Sequence, residues 1–336
     1  MSSAPTSADI AKDATWLVQA LDSQNGLVRL VRMDRQGYRE ASFLDDRMFE
    51  QPRNSHLLKW AEVAEAMPAH ARTDARWIFH IGHVGSTLLA RLLGELEGVL
   101  SIREPRAFRD LLFFPAEVRA QYIPTIQALF SRTFAPGQSA LVKTTSAVSE
   151  IAGELLADGQ AALLVYTKPR SFISGILAGE NSLAELAAMS DMRRLRLASR
   201  GVQLPESRGD ADAAAAAWAC EMTALESAAD RMADRAIAWA DFDAMLGDMP
   251  NELIRLAQFF GFAATAERLH AVATGLLMAR YSKALEYDYS PALRRDLIAE
   301  ADAAHRVDIE SALAMLGRAA EKSPLLARAL ARSGES

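Results

Sequence analysis

The sequence predicts a mixed α/β fold: a mostly parallel sheet covered by helices, with a small N-terminal appendage and a helical C-terminal region. Three observations predict it. From Arg76 onward, short apolar runs alternate with segments of helical period, the grammar of strands joined by crossover helices. The runs are almost unbroken in apolar residues, as strands buried on both faces are. The first of them, Trp77-Ile-Phe-His-Ile81, passes through a glycine-bearing turn straight into a leucine-rich helix.

The elements follow in order. Residues 27–33 alternate partly and read as a half-buried strand; 38–44 are similar, with Gly37 in the connection. A helix is expected from His56 to about Met67, ending before Pro68. Residues 1–75 thus form the appendage. Strands are expected at 76–82, 98–103, 139–143, 161–167 and 236–240. Leu88, Leu89, Leu92, Leu93 and Leu96 recur at helical spacing after the first strand. A second helix spans 147–157 and a third 172–200. The polar segment 201–210, carrying Gly and Pro, then breaks the pattern and reads as a loop or a mobile lid. Trp218, Met222, Leu225, Ala229 and Met232 mark the core face of a long helix. Another helix at 250–261 stops at Gly261, and the Ala-rich tail at 291–336 is helical. The main domain is 76–290.

Composition narrows the function classes. A net charge of −6, with no basic arm, argues against a nucleic-acid binder. The one cysteine, Cys220, rules out an internal disulfide framework and fits a reducing compartment. The start, Met-Ser-Ser-Ala-Pro-Thr-Ser, lacks a basic stretch followed by an apolar one, and no apolar run is long enough for a bilayer. A cytoplasmic enzyme without a membrane partner is expected.

The turn after the first strand carries the chemistry. Gly82-His-Val-Gly-Ser-Thr87 leads into a helix that opens at Ser86-Thr87, so free backbone N–H groups and the helix dipole converge on one point. That is a seat for a phosphate or sulfate group. A triphosphate loop of the Gly-x-x-x-x-Gly-Lys-[Ser/Thr] kind needs a lysine before the hydroxyl residue. Here Gly85 runs directly into Ser86. The other reading of Ser86 and Thr87 is that they only cap the helix. His80 and His83 invite a metal site, but no third ligand stands at suitable spacing, so no metal is expected.

These residues resemble the sulfotransferases that use 3′-phosphoadenosine 5′-phosphosulfate (PAPS), most nearly in the layout of the carbohydrate-type and bacterial branch. Five landmarks match in order over about 76–285. Gly82 to Thr87 resembles the family's phosphosulfate loop. Arg103-Glu104-Pro105 matches a Glu-Pro at the end of the next strand, with Glu104 nineteen positions after Gly85. Val142-Lys143-Thr144-Thr145 resembles a Lys-Thr-Pro element. The strand running to Thr167-Lys168-Pro169-Arg170 resembles one ending in Arg-x-Pro-Arg/Lys. Residues 239–246 through Phe259-Phe-Gly261 resemble the family's late Tyr-Glu-Asp-Leu to Phe-Leu-Gly segment.

The resemblance implies a three-layer sandwich of P-loop type and sulfuryl transfer from PAPS to a hydroxyl or amine of a small-molecule or carbohydrate acceptor. It implies that Gly82, His83, Val84, Gly85, Ser86 and Thr87 hold the 5′ end. His83 stands where the family has a catalytic Lys or Arg. Glu104 is the general base, or else a strand-end salt bridge to Arg103 or Arg106. Lys143 neutralises the phosphosulfate, or is merely solvated. Lys168, Arg170 and Ser174 are the candidates for the 3′-phosphate, because Thr167 replaces the family's Arg. Arg193, Arg196 and Arg200 share a helix face that is either solvated or an acceptor contact. Arg280-Tyr-Ser-Lys283 falls at the family's cofactor-closing segment. Two competing functions are a non-catalytic relative that binds a nucleotide or a partner, and a phosphotransferase using ATP and Mg²⁺. The strand end at Thr167-Lys168 lacks the Asp that holds Mg²⁺ in the latter.

Overall fold

The computed structural model describes residues 3–334. Five strands, β4 (Arg76–His80), β5 (Val99–Arg103), β6 (Ser139–Lys143), β7 (Ala161–Tyr166) and β8 (Ala236–Asp241), form one parallel sheet in the order β5-β6-β4-β7-β8. All five expected strands are present, within two residues at each end. Every residue of β5 and β7 is buried, which is why both read as apolar runs. Helices flank the sheet, giving the α/β architecture the sequence predicts. Chain order reverses at β4, whose neighbours β6 and β7 lead to opposite edges. In open parallel sheets the crevice at the carboxyl end of such a reversal is where ligands bind.

The helix after β4, Ser86–Gly94, is buried from Ser86 to Leu93 and packs on β5 and β6. The long helix Asp210–Arg231 buries Trp218, Met222 and Leu225, and the Trp218 indole donates to the Thr167 carbonyl at 2.9 Å. Residues 201–209 form an irregular connection before it.

The N-terminal region departs most from expectation. Its sheet has three strands, β1 (Trp16–Asp22), β2 (Leu27–Arg32) and β3 (Ser55–Lys59), all antiparallel. β1 went unread because Trp-Leu-Val-Gln-Ala-Leu alternates poorly and nearly every residue of it is buried. The expected strand at 38–44 is instead the end of a helix, Arg35–Glu40, started by Asp34, whose carboxylate accepts from the Gly37 amide at 2.7 Å. The helix expected from His56 begins only at Trp60, because His56 is in β3. The expected helix at 147–157 is a 3₁₀ segment, Ser146–Ile151, and one α turn, Ala152–Leu155. The stretch 172–200 is three helices, Pro169–Leu177, Glu180–Ala188 and Ser190–Ser199. The tail from Pro291 is helical: Pro291–Ala304, Arg306–Ala320 and Pro324–Ser333. No helix among the described residues is long and apolar enough to cross a membrane.

Candidate active site

A cavity of about 860 Å³ opens at the carboxyl ends of β4 and β6. Its floor is the turn from Gly82 to Thr87. Gly82 (φ +80°), His83 (φ +52°) and Gly85 (φ +62°) have left-handed backbone. Gly85 has a second reason to be glycine, because a Cβ there would lie 1.9 Å from the Phe242 ring. The Gly82 amide donates to His80 Nδ1 at 2.9 Å. The next six amides, His83 through Leu88, meet no protein acceptor among the described residues; the first bond of the helix runs from the Leu89 amide to the Gly85 carbonyl. Buried backbone donors are almost always paired. A run of six free ones at a helix start is able to receive an anion.

Ser86 and Thr87 do not cap this helix. Gly85 holds the cap position and no side chain accepts there. Ser86 faces the cavity, and the Thr87 hydroxyl is buried without a partner. The helix dipole alone favours an anion by roughly 0.3–2 kcal/mol. Each hydrogen bond to a charged acceptor adds about 1.5–3 kcal/mol, so the amides and hydroxyls outweigh the dipole.

His80 is buried with both ring nitrogens engaged. Nδ1 accepts from Gly82, so Nε2 carries the hydrogen and donates to the Thr144 carbonyl at 2.8 Å. Burial, and next the Lys143 charge, push its pKa well down. It is a neutral brace for the turn. His83 lines the cavity, its Nε2 3.3 Å from Glu185 Oε2. The Glu185 carboxyl is held down to about 2, first by the hydrogen bond from His83. Glu185 carries no sequence signal of its role.

Glu104 and Lys143 come together across the ends of β5 and β6. The Glu104 amide donates to the Lys143 carbonyl at 2.7 Å, and Lys143 Nζ pairs with Glu104 Oε1. Lys143 is only 1% exposed, so it is not a solvated strand end. Burial lowers its pKa despite the attraction of Glu104. Glu104 (φ +52°) and His83 are the two non-glycine residues with left-handed backbone among the described residues, and both line this cavity. Such strain costs of order 1–3 kcal/mol and gathers at functional sites. The salt bridge considered for Glu104 is not to its neighbours: Arg103 binds backbone carbonyls of residues 38–41, and Arg106 pairs with Asp46 and Asp110.

Lys168, Arg170 and Ser174 do not line the cavity. The helix Pro169–Leu177 turns Arg170 and Ser174 toward the C-terminal helices, where Arg170 pairs with Asp302 and Glu310, and the Ser174 hydroxyl donates to Asp302 at 3.4 Å. Ser171, Phe172 and Gly175 take the cavity face instead. Arg196 and Arg200 are neither solvated nor in the cavity: Glu150 and Glu221 hold them against the long helix. Residues 201–210 lie outside the cavity as well.

Of the remaining walls, sequence reasoning singled out Arg280 to Lys283 alone. Phe43, Asp45, Asp46 and Arg47 arrive from the N-terminal region, and Arg109 from the helix after Glu104. Arg280 to Lys283 and Asp288 to Leu293 form the opposite wall. Most lining charges are paired within the wall: Asp45 with Arg47 and Arg109, Arg280 with Asp288, Arg294 with Asp243. Lys283 has no ion-pair partner among the described residues, and its charge reaches Lys143 and His80.

No protein-family model matches the chain, and no curated protein matches its sequence. Among solved structures it is similar to the sulfotransferase domain from the curacin biosynthetic pathway, at a TM-score of 0.39 and 14% identity. That likeness covers 68% of this chain and 89% of that domain.

Proposed function

We propose that this protein is a sulfotransferase that moves a sulfuryl group from PAPS to a hydroxyl or amine. The observation that carries the reading is the run of six unpartnered amides from His83 to Leu88, set beside Lys143, Lys283 and the buried Thr87 hydroxyl. These groups suit the phosphosulfate end of such a donor, which supplies an activated sulfuryl group when bound. The two strands bonded to β4 end in Lys143 and in Tyr166, the latter followed by Thr167. The carboxylate that holds Mg²⁺ in a P-loop NTPase therefore has no counterpart at either position, which weighs against the ATP reading.

In this reading Glu104 takes the acceptor's proton as the acceptor oxygen or nitrogen bonds to sulfur. The loop amides, Ser86 and Thr87 receive the charge that gathers on the leaving phosphate as its bond to sulfur breaks. Lys143 is poised to join them, because a proton on Glu104 removes the charge that holds its ammonium. His83, facing Glu185, serves as a cation beside the same leaving oxygen. With Arg170 and Ser174 turned away, Ser171 and Lys283 are left to meet the 3′-phosphate.

Titration calorimetry with adenosine 3′,5′-bisphosphate in EDTA tests the reading. Binding without metal is expected. Binding of ATP only, and only with Mg²⁺, would establish the phosphotransferase instead. A second expectation concerns His83. His83→Ala should lower the single-turnover rate and His83→Lys should restore part of it; equal rates in all three would remove His83 from the reaction.

A further inference from the structure

The N-terminal region reaches the proposed base. The segment that follows the helix Arg35–Glu40 carries Phe43, Asp45 and Arg47 to the cavity wall beside β5 and β6. Asp45 is almost fully buried and takes two hydrogen bonds from the Arg47 guanidinium, Nε to Oδ1 at 2.9 Å and Nη2 to Oδ2 at 2.7 Å. The ring of Phe43 lies 3.4 Å beneath the same guanidinium. Arg47 is thereby fixed on one face by an aromatic ring and along one edge by a carboxylate. Its Nη2 is left 3.7 Å from Glu104 Oε2. Lys143 occupies the other Glu104 oxygen.

We propose that Arg47 is a positioning residue of the base assembly, sharing the Glu104 carboxylate with Lys143 so that Oε2 is presented at the cavity wall where the acceptor must arrive. The proposal rests on the sulfotransferase reading for the word acceptor, but the Arg47–Glu104–Lys143 cluster stands without it. A carboxylate gripped only by buried Lys143 would be free to turn both oxygens toward that ammonium, leaving none for a hydroxyl proton. A second cation at ion-pair distance attracts the other oxygen and so holds the two apart. The N-terminal region then belongs to the active site.

Charged groups face this cluster from each element around it: Asp45 from the N-terminal segment, Arg109 from the helix after Glu104, and His80 and His83 from β4 and its turn. Glu185 faces it from the helix Glu180–Ala188, and Lys283 from the C-terminal segment. Only Arg47 touches Glu104 from the cavity side among them. Its charge is also among the causes that lower the Lys143 pKa.

The test is an NMR titration of Lys143 through its Cε–Hε signals in the full chain, compared in wild type, Arg47→Met and Arg47→Lys. Arg47→Met should move the Lys143 titration up by roughly half a unit or more, and Arg47→Lys should return it toward wild type. A Lys143 titration unchanged in Arg47→Met overturns the proposal, since the guanidinium would then have no hold on the Glu104–Lys143 pair. Circular dichroism confirms that each variant is folded. Calorimetry with adenosine 3′,5′-bisphosphate on the same samples separates the two ideas. A wild type that fails to bind the bisphosphate sinks the sulfotransferase reading while the Lys143 shifts still decide the role of Arg47.

Discussion

Gly85 shows how tightly one residue is constrained. It sits at φ +62°, and any Cβ would run into the ring of Phe242. Gly159 is also left-handed, at φ +76°, but has open space around it. Gly159→Ala should therefore cost about 1–2 kcal/mol, the backbone penalty alone. Gly85→Ala should cost roughly 2–5 kcal/mol, since overpacking is added. Urea unfolding of the pair checks this, and equal losses would mean that Phe242 yields. Lys143 offers a second expectation. Burial lowers its pKa from the usual 10.5. Between the lowered value and 10.5 the unfolded chain binds more protons than the folded one, so this group makes stability rise with pH through that window. Lys143→Met should flatten that rise in unfolding experiments from neutral to alkaline pH. Glu104→Gln strands a buried ammonium and should cost about 3–5 kcal/mol, whereas Glu104→Gln with Lys143→Met should cost less.

Among the elements, the strands of the parallel sheet were legible because burial on both faces leaves a continuous apolar run. The turn from Gly82 to Thr87 was legible because its glycines and its Ser-Thr pair sit between such a run and a helix. The phase of the helix Pro169–Leu177 was not. Which of Arg170, Ser171 and Ser174 faces the cavity depends on where the C-terminal helices dock, and Asp302 and Glu310 lie more than a hundred residues away in the chain. The N-terminal strands were hard for a related reason: β1 is buried nearly throughout and shows little alternation, and residues 38–40 end a helix whose start chemistry at Asp34 periodicity ignores. The observed phase has a consequence. Arg170→Ala should loosen the C-terminal helices and lower the melting temperature while changing bisphosphate affinity less than about threefold. Lys283→Ala should weaken bisphosphate binding by about tenfold or more, the loss of one charge-assisted contact. Calorimetry and thermal melts on both variants check the contrast; the reverse pattern would return the 3′-phosphate to Arg170.

The whole molecule is held to its N-terminal region by buried arginines that bind backbone carbonyls. Arg103 donates to the carbonyls of Tyr38, Arg39 and Ala41, and Arg132 to those of Ile10 and Trp16. Arg91, on the helix of the anion turn, reaches Arg39, Glu40 and Ser42 on one side and the Ser282 carbonyl on the other. It thus ties together two walls of the cavity and the helix that starts at its floor. The carbonyls of residues 38–41 among them lie at the end of the helix Arg35–Glu40, where cations are favoured. Arg103→Met should destabilise the protein by about 3–5 kcal/mol by leaving buried carbonyls unmet. It should also displace the segment that delivers Arg47.

In the proposed function the backbone of one turn, His83 to Leu88, grips the phosphosulfate end of a nucleotide. Amide NMR of ¹⁵N-labelled protein titrated with adenosine 3′,5′-bisphosphate in EDTA tests it most directly. The account predicts that the signals of His83 through Leu88 shift downfield together and saturate with a single affinity. Saturable binding that leaves those six amides unmoved, or no binding at all, would contradict it.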